Sequence, residues 1–360
     1  MKIAFHIHSL TKGGAERAVS NLANKFSELG HEVFVITSIR SGSEYMLNKE
    51  INRIVLYEGE GKTSYFFRYG LLTGRLRQVC KKYKFDVIIP FISGSSFRAM
   101  MATCGMKTKV IASVRNDPNY EYSGKIGAFI GKKVLPLIDG CVFQTEDAKA
   151  WFPSKLQKKS IVIKNAINPL FFTAKRNPVK NRIVTFGRLA YQKNQALLID
   201  VFYDVSKEIE DAELYIFGKG ECYQELSSKI LDLDLTEKVH LMGETSKVLE
   251  ELEKADIFVL SSNFEGMPNA LMEAMAAGVP CISTDCPCGG PSSLINDGTN
   301  GFLVSVNDIS GMSQAIKTLL NDDRLKKQIG EQASIDSRML TPKIISEEWL
   351  KYIGEVIISN

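Results

Sequence analysis

The sequence predicts an α/β protein made of two Rossmann-like halves, each built on a doubly wound parallel sheet. Three observations predict it. Short apolar runs alternate with segments whose apolar residues recur at helical spacing, the signature of β-α-β units. The alternation breaks once, over a polar, Pro-containing stretch at 165–181, and then restarts. The chain has 360 residues, enough for two domains of ordinary size. The expected division is an N-terminal domain over 1–165, a C-terminal domain over 166–342 and a final helix over 343–360.

In the first half, KIAFHIH (2–8) reads as a strand and residues 9–14 as a Gly-containing loop. Residues 15–29 read as a helix, because Ala15, Ala18, Val19, Leu22, Ala23 and Phe26 share one face. Gly30 stops it. Strands follow at 32–38, 86–92, 109–114 and 140–145, with helical stretches near 65–83, 95–105 and 124–137. In the second half, strands are expected at 182–187, 213–218, 238–243, 257–261, 279–284 and 301–305. Trp349, Leu350, Ile353, Val356 and Ile357 mark the last helix. Two open α/β sheets bind ligands in a cleft at the carboxyl ends of their strands, so function belongs in the loops after the strands.

Composition bounds the class. Apolar residues are 44% and charged residues 24%, ordinary for a soluble globular protein. No run approaches the roughly 18 apolar residues of a spanning helix. The opening MKIAFHIHSL is too short and polar for a secretory core, so a cytoplasmic protein is expected. The seven cysteines show no framework spacing: Cys80, Cys104, Cys141, Cys222 and Cys281 stand singly, and Cys286 and Cys288 form C-x-C. With four scattered histidines, reduced structural thiols are a better reading than a zinc site. The charge divides unevenly. Residues 1–165 hold 26 Lys+Arg against 13 Asp+Glu, a net of +13, and residues 166–360 hold 19 against 28, a net of −9. The basic half suits an anionic partner: a membrane surface, a phosphorylated acceptor or nucleic acid. A merely solvated basic face is the plain alternative.

The most informative segment is 257–285, IFVLSSNFEGMPNALMEAMAAGVPCISTD. A buried strand enters a loop at 262–267, Pro268 suits the first helical position, and Gly278 with Pro280 stops the helix. That helix is apolar nearly all round except for Glu273, which needs a polar partner. Two neighbouring ribose hydroxyls would serve, as would a buried Arg or Lys. The N–H groups of Asn269, Ala270 and Leu271 at the helix start suit a diphosphate. Glu265 stands in the preceding loop, either facing the cleft or as an ordinary loop carboxylate. Upstream, Arg188 follows a strand and Gly187, and Lys193 sits five residues on at the expected start of a helix, where two cations can hold a departing diphosphate or simply be solvated. Gly13 and Gly14 allow close backbone approach to a ligand, or form an ordinary turn.

The segment resembles the donor-binding motif of family 4 glycosyltransferases, the large retaining family with the GT-B fold. Its signature is two glutamates separated by seven residues, here Glu265 and Glu273 in EGMPNALME. GGAER (13–17) matches the family's glycine loop, GRLAYQKN (187–194) its Arg/Lys phosphate loop, and CPCGGP (286–291) its late Gly-Pro turn. The resemblance covers nearly the whole chain. It implies two Rossmann-like domains facing a central cleft, with the C-terminal helix packed back on the N-terminal domain. The resemblance also implies retention of anomeric configuration, by front-face attack in which the leaving phosphate helps take the acceptor's proton. Glu265, Arg188 and Lys193 would then be catalytic, Glu265 holding donor-sugar hydroxyls rather than attacking. Gly13, Gly14, Gly187, Met242, Gly266, Met267, Pro268, Asn269, Ala270, Leu271 and Glu273 would bind a UDP-sugar, Met242 beside the base. No cofactor and no metal is expected: the fold class usually needs none, no Asp-x-Asp and no His/Cys ligand set is read in the sequence, and Arg188 and Lys193 would replace an ion's charge. The chain departs from the pattern at ASVRNDP (112–118), where many members carry a histidine; Arg115, Asn116 and Asp117 stand there, as sugar contacts or as a turn.

The acceptor is expected to be a glycan, possibly polyprenyl-diphosphate-linked, because similar enzymes often extend such carriers. Residues 63–85 hold six cations among Tyr, Phe and Leu, and 124–138 repeat the theme. Both suit an anionic membrane surface, placing the N-terminal domain peripherally on the inner face of the cytoplasmic membrane, or their apolar faces cover the sheet. Three rivals stand beside the transferase: a UDP-sugar 2-epimerase of the same fold, a nucleotide-sugar binding protein without turnover, and a nucleic-acid binder. The acidic second half argues against nucleic acid.

Overall fold

The structure is a computed structural model that describes residues 1–11, 13–58 and 65–359. Lys12, Thr63 and Ser64, parts of the loop at 9–14 and the segment at 63–85, lie outside the described residues. The chain forms two compact units, one of Met1–Ala166 with Pro342–Asn360 and one of Ile167–Thr341.

Among the described residues, the first unit has strands β1 (Lys2–Ile7), β2 (Glu32–Thr37), β3 (Asn52–Val55), β4 (Val87–Pro90), β5 (Lys109–Ser113), β6 (Gly140–Phe143) and β7 (Ser160–Val162). All pair in parallel, in the order β3-β2-β1-β4-β5-β6-β7. The strand order turns back between β1 and β4, the switch point where such sheets open a crevice. Ile3, Ala4, Phe5 and Ile7 are fully buried, as are Val87, Ile88 and Ile89, because helices cover both faces of the sheet. Those helices are α1 (Gly14–Glu28), α2 (Tyr65–Tyr83), α3 (Ser93–Thr103), α4 (Pro118–Glu121), α5 (Gly124–Phe129), α6 (Glu146–Ala150) and α7 (Ser154–Gln157).

The second unit repeats the plan. Its strands are β8 (Arg182–Phe186), β9 (Glu213–Phe217), β10 (Val239–Gly243), β11 (Ile257–Leu260), β12 (Cys281–Asp285) and β13 (Phe302–Ser305), in parallel order β10-β9-β8-β11-β12-β13. The helices are α8 (Gln195–Ser206), α9 (Tyr223–Asp232), α10 (Val248–Lys254), α11 (Asn269–Ala276), α12 (Ile309–Asn321) and α13 (Asp323–Ser337). The switch falls between β8 and β11, and it is the loops after these two strands that carry the glycine, cation and glutamate motifs.

The last helix, α14 (Pro342–Ile358), belongs to the first unit, as expected, and packs on α1. Trp349 is fully buried and stacks on Phe91 at 6.3 Å between ring centres. Tyr352 reaches the edge of β6, where its hydroxyl accepts from Cys141 N at 2.9 Å and donates to Lys159 O at 2.5 Å. Gly140 is a glycine for this reason: a Cβ there would stand 2.5 Å from the Tyr352 oxygen. Tyr352→Phe strands two buried backbone groups and is expected to cost about 1–3 kcal/mol, or roughly 3–10 °C in Tm. Thermal unfolding checks this, and an unchanged Tm would mean the helix docks through its apolar face alone.

Two strands were not anticipated, β3 and β7. Both are sheet edges and neither contains a fully buried residue, so neither makes a continuous apolar run. Residues 124–137 are not one helix. After α5 comes a π turn at Ile130–Val134 and a 3₁₀ turn at Leu135–Leu137, where Pro136 has no N–H to continue the α ladder. Pro268 caps α11 rather than starting it, and Lys193 lies two residues before α8.

Candidate functional site

In the second unit, β8 delivers Gly187, Arg188 and Lys193, and β11 delivers the loop from Ser261 to Pro268. The two loops are tied together. Ser261 Oγ donates to Lys193 O at 3.0 Å, and Asn194 Nδ2 donates to Asn263 Oδ1 at 3.0 Å. Asn194 sits in the left-handed region at φ +48°, a conformation asparagine tolerates, and this turns the chain into α8. The stem of Lys193 lies over Gly187, where a Cβ would stand 3.2 Å from its methylenes.

This geometry sets the Lys193 ammonium 2.5 Å from Glu265 Oε1. Ser262 Oγ donates to the same oxygen at 2.7 Å. Glu265 is only 5% exposed, so its charge depends on these partners. Its backbone is clamped as well: Glu265 N donates to Pro287 O at 2.7 Å, and Cys288 N donates to Glu265 O at 3.0 Å. The Gly-Pro turn at 286–291 is therefore the backing of the Glu265 loop. Gly290 has to be glycine, because a Cβ would collide with the Gly266 carbonyl oxygen and stand 3.0 Å from Pro268 Cδ.

Helix α11 leaves this loop with no side-chain cap and no acid in its first turn. Asn269 and Ala270 are half-exposed, while Met267, Pro268 and Leu271 are buried. Its amino end is thus an accessible positive pole. Glu273, 7% exposed among buried Leu271, Met272, Ala274 and Met275, is a partnered carboxylate. Arg188 is exposed, and its guanidinium makes no ion pair among the described residues. Its carbonyl instead takes a hydrogen bond from Gln195 Nε2 at 2.9 Å. Met242 is 49% exposed, beside a register slip in β10. The second unit thus places two cations, a held carboxylate and a helix amino end after its central strands β8 and β11, and an exposed thioether on its edge strand β10.

In the first unit, Gly13 caps α1 and Gly14 is its first residue. A Cβ on Gly13 would collide with the Glu16 carboxylate. The stretch at 115–117 divides three ways. Arg115 turns inward, its guanidinium 4.5 Å from the centre of the Phe91 ring and 5.7 Å from that of Trp349, with Nη1 donating to Asn165 Oδ1 at 2.7 Å. Burial lowers it to about 9. Asp117 caps α4 by accepting from Asn119 N at 2.8 Å, a turn role. Asn116 is half-buried, and its side chain makes no hydrogen bond among the described residues.

Sequence reasoning missed two residues here, Ser262 and Glu121. Ser262 stands three before Glu265, a spacing that a tight loop turns into a hydrogen bond. Glu121 accepts from Ser93 N at 2.7 Å and lies under the backbone of Arg115 and Asn116. Burial pushes its carboxyl up to about 7 from the usual 4.5. Between those values the folded chain keeps a proton that the unfolded chain has released, so this group lowers stability as pH rises from 4.5 through 7. Glu121→Gln keeps the acceptor and is expected to raise Tm by about 2–8 °C at pH 8, with no gain at pH 4. Melting curves at both pH values check it; equal shifts at both would remove the titration from the account.

Among the described residues no group of three or more His, Cys, Asp or Glu is arranged to hold a metal ion. The chain does contain an Asp-x-Asp, Asp232 and Asp234, which falls at the carboxyl end of α9. All seven cysteines are free thiols.

Two family models match adjoining stretches that together span residues 12–335. Residues 12–169 match Glycosyltransferase Family 4, and residues 168–335 match Glycosyl transferases group 1. Among curated proteins, the chain is 29% identical to a Campylobacter jejuni enzyme, the GalNAc-α-(1→4)-GalNAc-α-(1→3)-diNAcBac-PP-undecaprenol α-1,4-N-acetyl-D-galactosaminyltransferase, over 99% of both chains. It is 28% identical to a second enzyme of that organism, the N-acetylgalactosamine-N,N'-diacetylbacillosaminyl-diphospho-undecaprenol 4-α-N-acetylgalactosaminyltransferase, over 98% of this chain and 99% of that one. Among solved structures, Anabaena HepE in complex with UDP and glucose superposes with a TM-score of 0.84 at 17% identity, over 98% of this chain and 99% of that one. Two parallel-sheet α/β units, the paired glutamates in the loop after β11 and on α11, and these matches agree. The chain belongs to the family 4 type of GT-B glycosyltransferases.

Proposed function

We propose that this glycosyltransferase moves a hexose or N-acetylhexosamine from a UDP-sugar to a lipid-linked glycan, with retention, in surface polysaccharide or glycoconjugate synthesis. The observation that carries the reading is the Lys193–Glu265 pair, with the exposed Arg188, which makes no ion pair among the described residues, on the same β8 loop and the uncapped end of α11 after β11. A donor diphosphate gathers charge as the glycosidic bond breaks. Two preplaced cations and a helix amino end favour that state over the ground state. Glu265 Oε1 is already occupied, which suits Glu265 to hold a sugar hydroxyl through its other oxygen and to steady an oxocarbenium-like carbon. The leaving phosphate oxygen then takes the acceptor's proton on the face it departs from. Met242 offers an apolar surface to the base. The two Campylobacter relatives, by their names, act on undecaprenol-diphosphate glycans, which supports a lipid-linked acceptor.

Calorimetry with a panel of nucleotide sugars tests the donor. One UDP-sugar is expected to bind at micromolar affinity and to weaken in Arg188→Ala. Tight binding of a GDP- or ADP-sugar instead would overturn the UDP assignment.

Among the described residues, the segment at 124–137 supports membrane contact better than α2 does. No helix among the described residues is long and apolar enough to cross a membrane. In α2, Leu72, Leu76 and Cys80 are buried, and Arg75 and Arg77 donate to the carbonyls of Leu56 and of Ala102 and Cys104. Those buried side chains face the interior, and Tyr83 packs on Phe34 of β2 at 4.8 Å between ring centres. At 124–137, by contrast, Ile126 is 78% exposed, Phe129 61% and Leu137 66%, flanked by the exposed Lys125, Lys132 and Lys133. Apolar knobs ringed by lysines suit an anionic bilayer. The double variant Ile126→Ser, Phe129→Ser is expected to lose at least about tenfold in partition onto phosphatidylglycerol vesicles. Co-sedimentation measures this, and an unchanged bound fraction would place membrane contact elsewhere.

A further inference from the structure

We propose that Ser262 is a positioning residue: its hydroxyl selects which oxygen of Glu265 is offered to the donor sugar. The inference rests on the reading of Glu265 as a donor-sugar contact, and it assigns a role to a side chain outside the glutamate and cation motifs.

Two donors meet at Glu265 Oε1. Lys193 Nζ lies 2.5 Å away and Ser262 Oγ 2.7 Å away. They are not equivalent. Lysine ends in three rotating N–H bonds on a flexible four-carbon stem, so it can follow either carboxylate oxygen around. Lys193 fixes the charge near Glu265 without fixing the rotation of the carboxylate. Serine has one rotatable carbon and sits on a backbone that cannot follow. Ser262 is fully buried, and its carbonyl accepts from Thr284 Oγ1 at 2.6 Å. The far side of the Glu265 residue is also fixed, through Pro287 O and Cys288 N. With both ends of the loop pinned, only the carboxylate's own torsions are left free, and Ser262 removes them. Oε1 is then saturated by two donors. Among the described residues no hydrogen bond reaches Oε2, and that oxygen is the one available to a sugar hydroxyl.

A misplaced contact of this kind costs rate more than binding, since it matters most when the sugar carbon becomes cationic. Ser262→Ala is therefore expected to lower kcat about 10–100-fold while donor KM stays within about threefold. The decisive readout is a double-mutant cycle with Glu265→Ala, measured on residual turnover. If Ser262 acts through Glu265, adding Ser262→Ala to Glu265→Ala costs nothing further. Ser262→Cys adds a second check: it refills the buried site with a weak donor and is expected to stay impaired, whereas a packing role predicts recovery.

The outcomes separate the two layers of the argument. If Glu265→Ala itself keeps full kcat, the donor-site reading fails and this inference with it. If Glu265→Ala is impaired while Ser262→Ala is not, or if the two losses multiply, the positioning role alone is wrong.

Discussion

Glu265→Gln is expected to lower kcat by about 10²–10³-fold with the fold intact. The amide keeps the shape of the side chain and an oxygen that can still accept from Lys193 and Ser262. What it loses is the negative charge facing the sugar carbon, and with it one neutralising partner of Lys193. An ammonium without its carboxylate holds the donor diphosphate at least as well, so KM for the donor is expected to stay level or fall. The combination of a collapsed kcat with an unraised KM marks an interaction made mainly in the transition state. Steady-state kinetics with melting curves check it. A parallel rise in KM at unchanged kcat would make Glu265 a ground-state binding group instead.

The second large effect separates two cations that the sequence presents alike. Lys193→Ala removes the charge proposed to face the diphosphate and also strands the 5% exposed Glu265 carboxylate, to which among the described residues Ser262 then remains the one side-chain donor. Breaking a buried pair from one side is costly, on the order of 3 kcal/mol. The variant is expected to lose about 10²–10³-fold in kcat/KM and several degrees in Tm. Arg188→Ala removes an exposed side chain with no ion pair among the described residues. It is expected to lose activity without losing stability, most of it as weaker binding of UDP and of the donor. Parallel assays and melts distinguish them. Equal stability losses would mean that Arg188 has a structural partner, and no activity loss in either would remove both from the diphosphate site.

The sequence was most legible where local chemistry and tertiary role coincide. The run from β11 through Glu265 to the Gly278 stop carries its own boundaries, because Pro, Gly and a lone acid in an apolar helix each have few uses. The strands at the centres of the sheets were legible for the same reason: burial on both faces leaves an unbroken apolar run. β3 and β7 were not, since an edge strand needs no such run. Arg115 shows a different limit. Its partners Phe91, Asn165 and Trp349 are 24, 50 and 234 residues away in the chain, and nothing local at ASVRNDP reveals that its guanidinium turns inward. Asp117 was readable either way and proves to be a cap. Ser262 was hidden by its ordinariness, because a serine in a loop is usually only a turn residue. Its role depends on a carboxylate that the turn at 286–291 holds from a different strand.

Transfer and its stereochemistry are read from a single reaction. The protein is incubated with a UDP-sugar and an undecaprenyl-diphosphate oligosaccharide, and the lipid-linked product is weighed and its new anomeric proton assigned. The account predicts release of UDP matched by a mass gain of one sugar, with an α linkage from an α-linked donor. A β linkage would contradict the retaining mechanism, and UDP release with no gain in acceptor mass would contradict transfer itself.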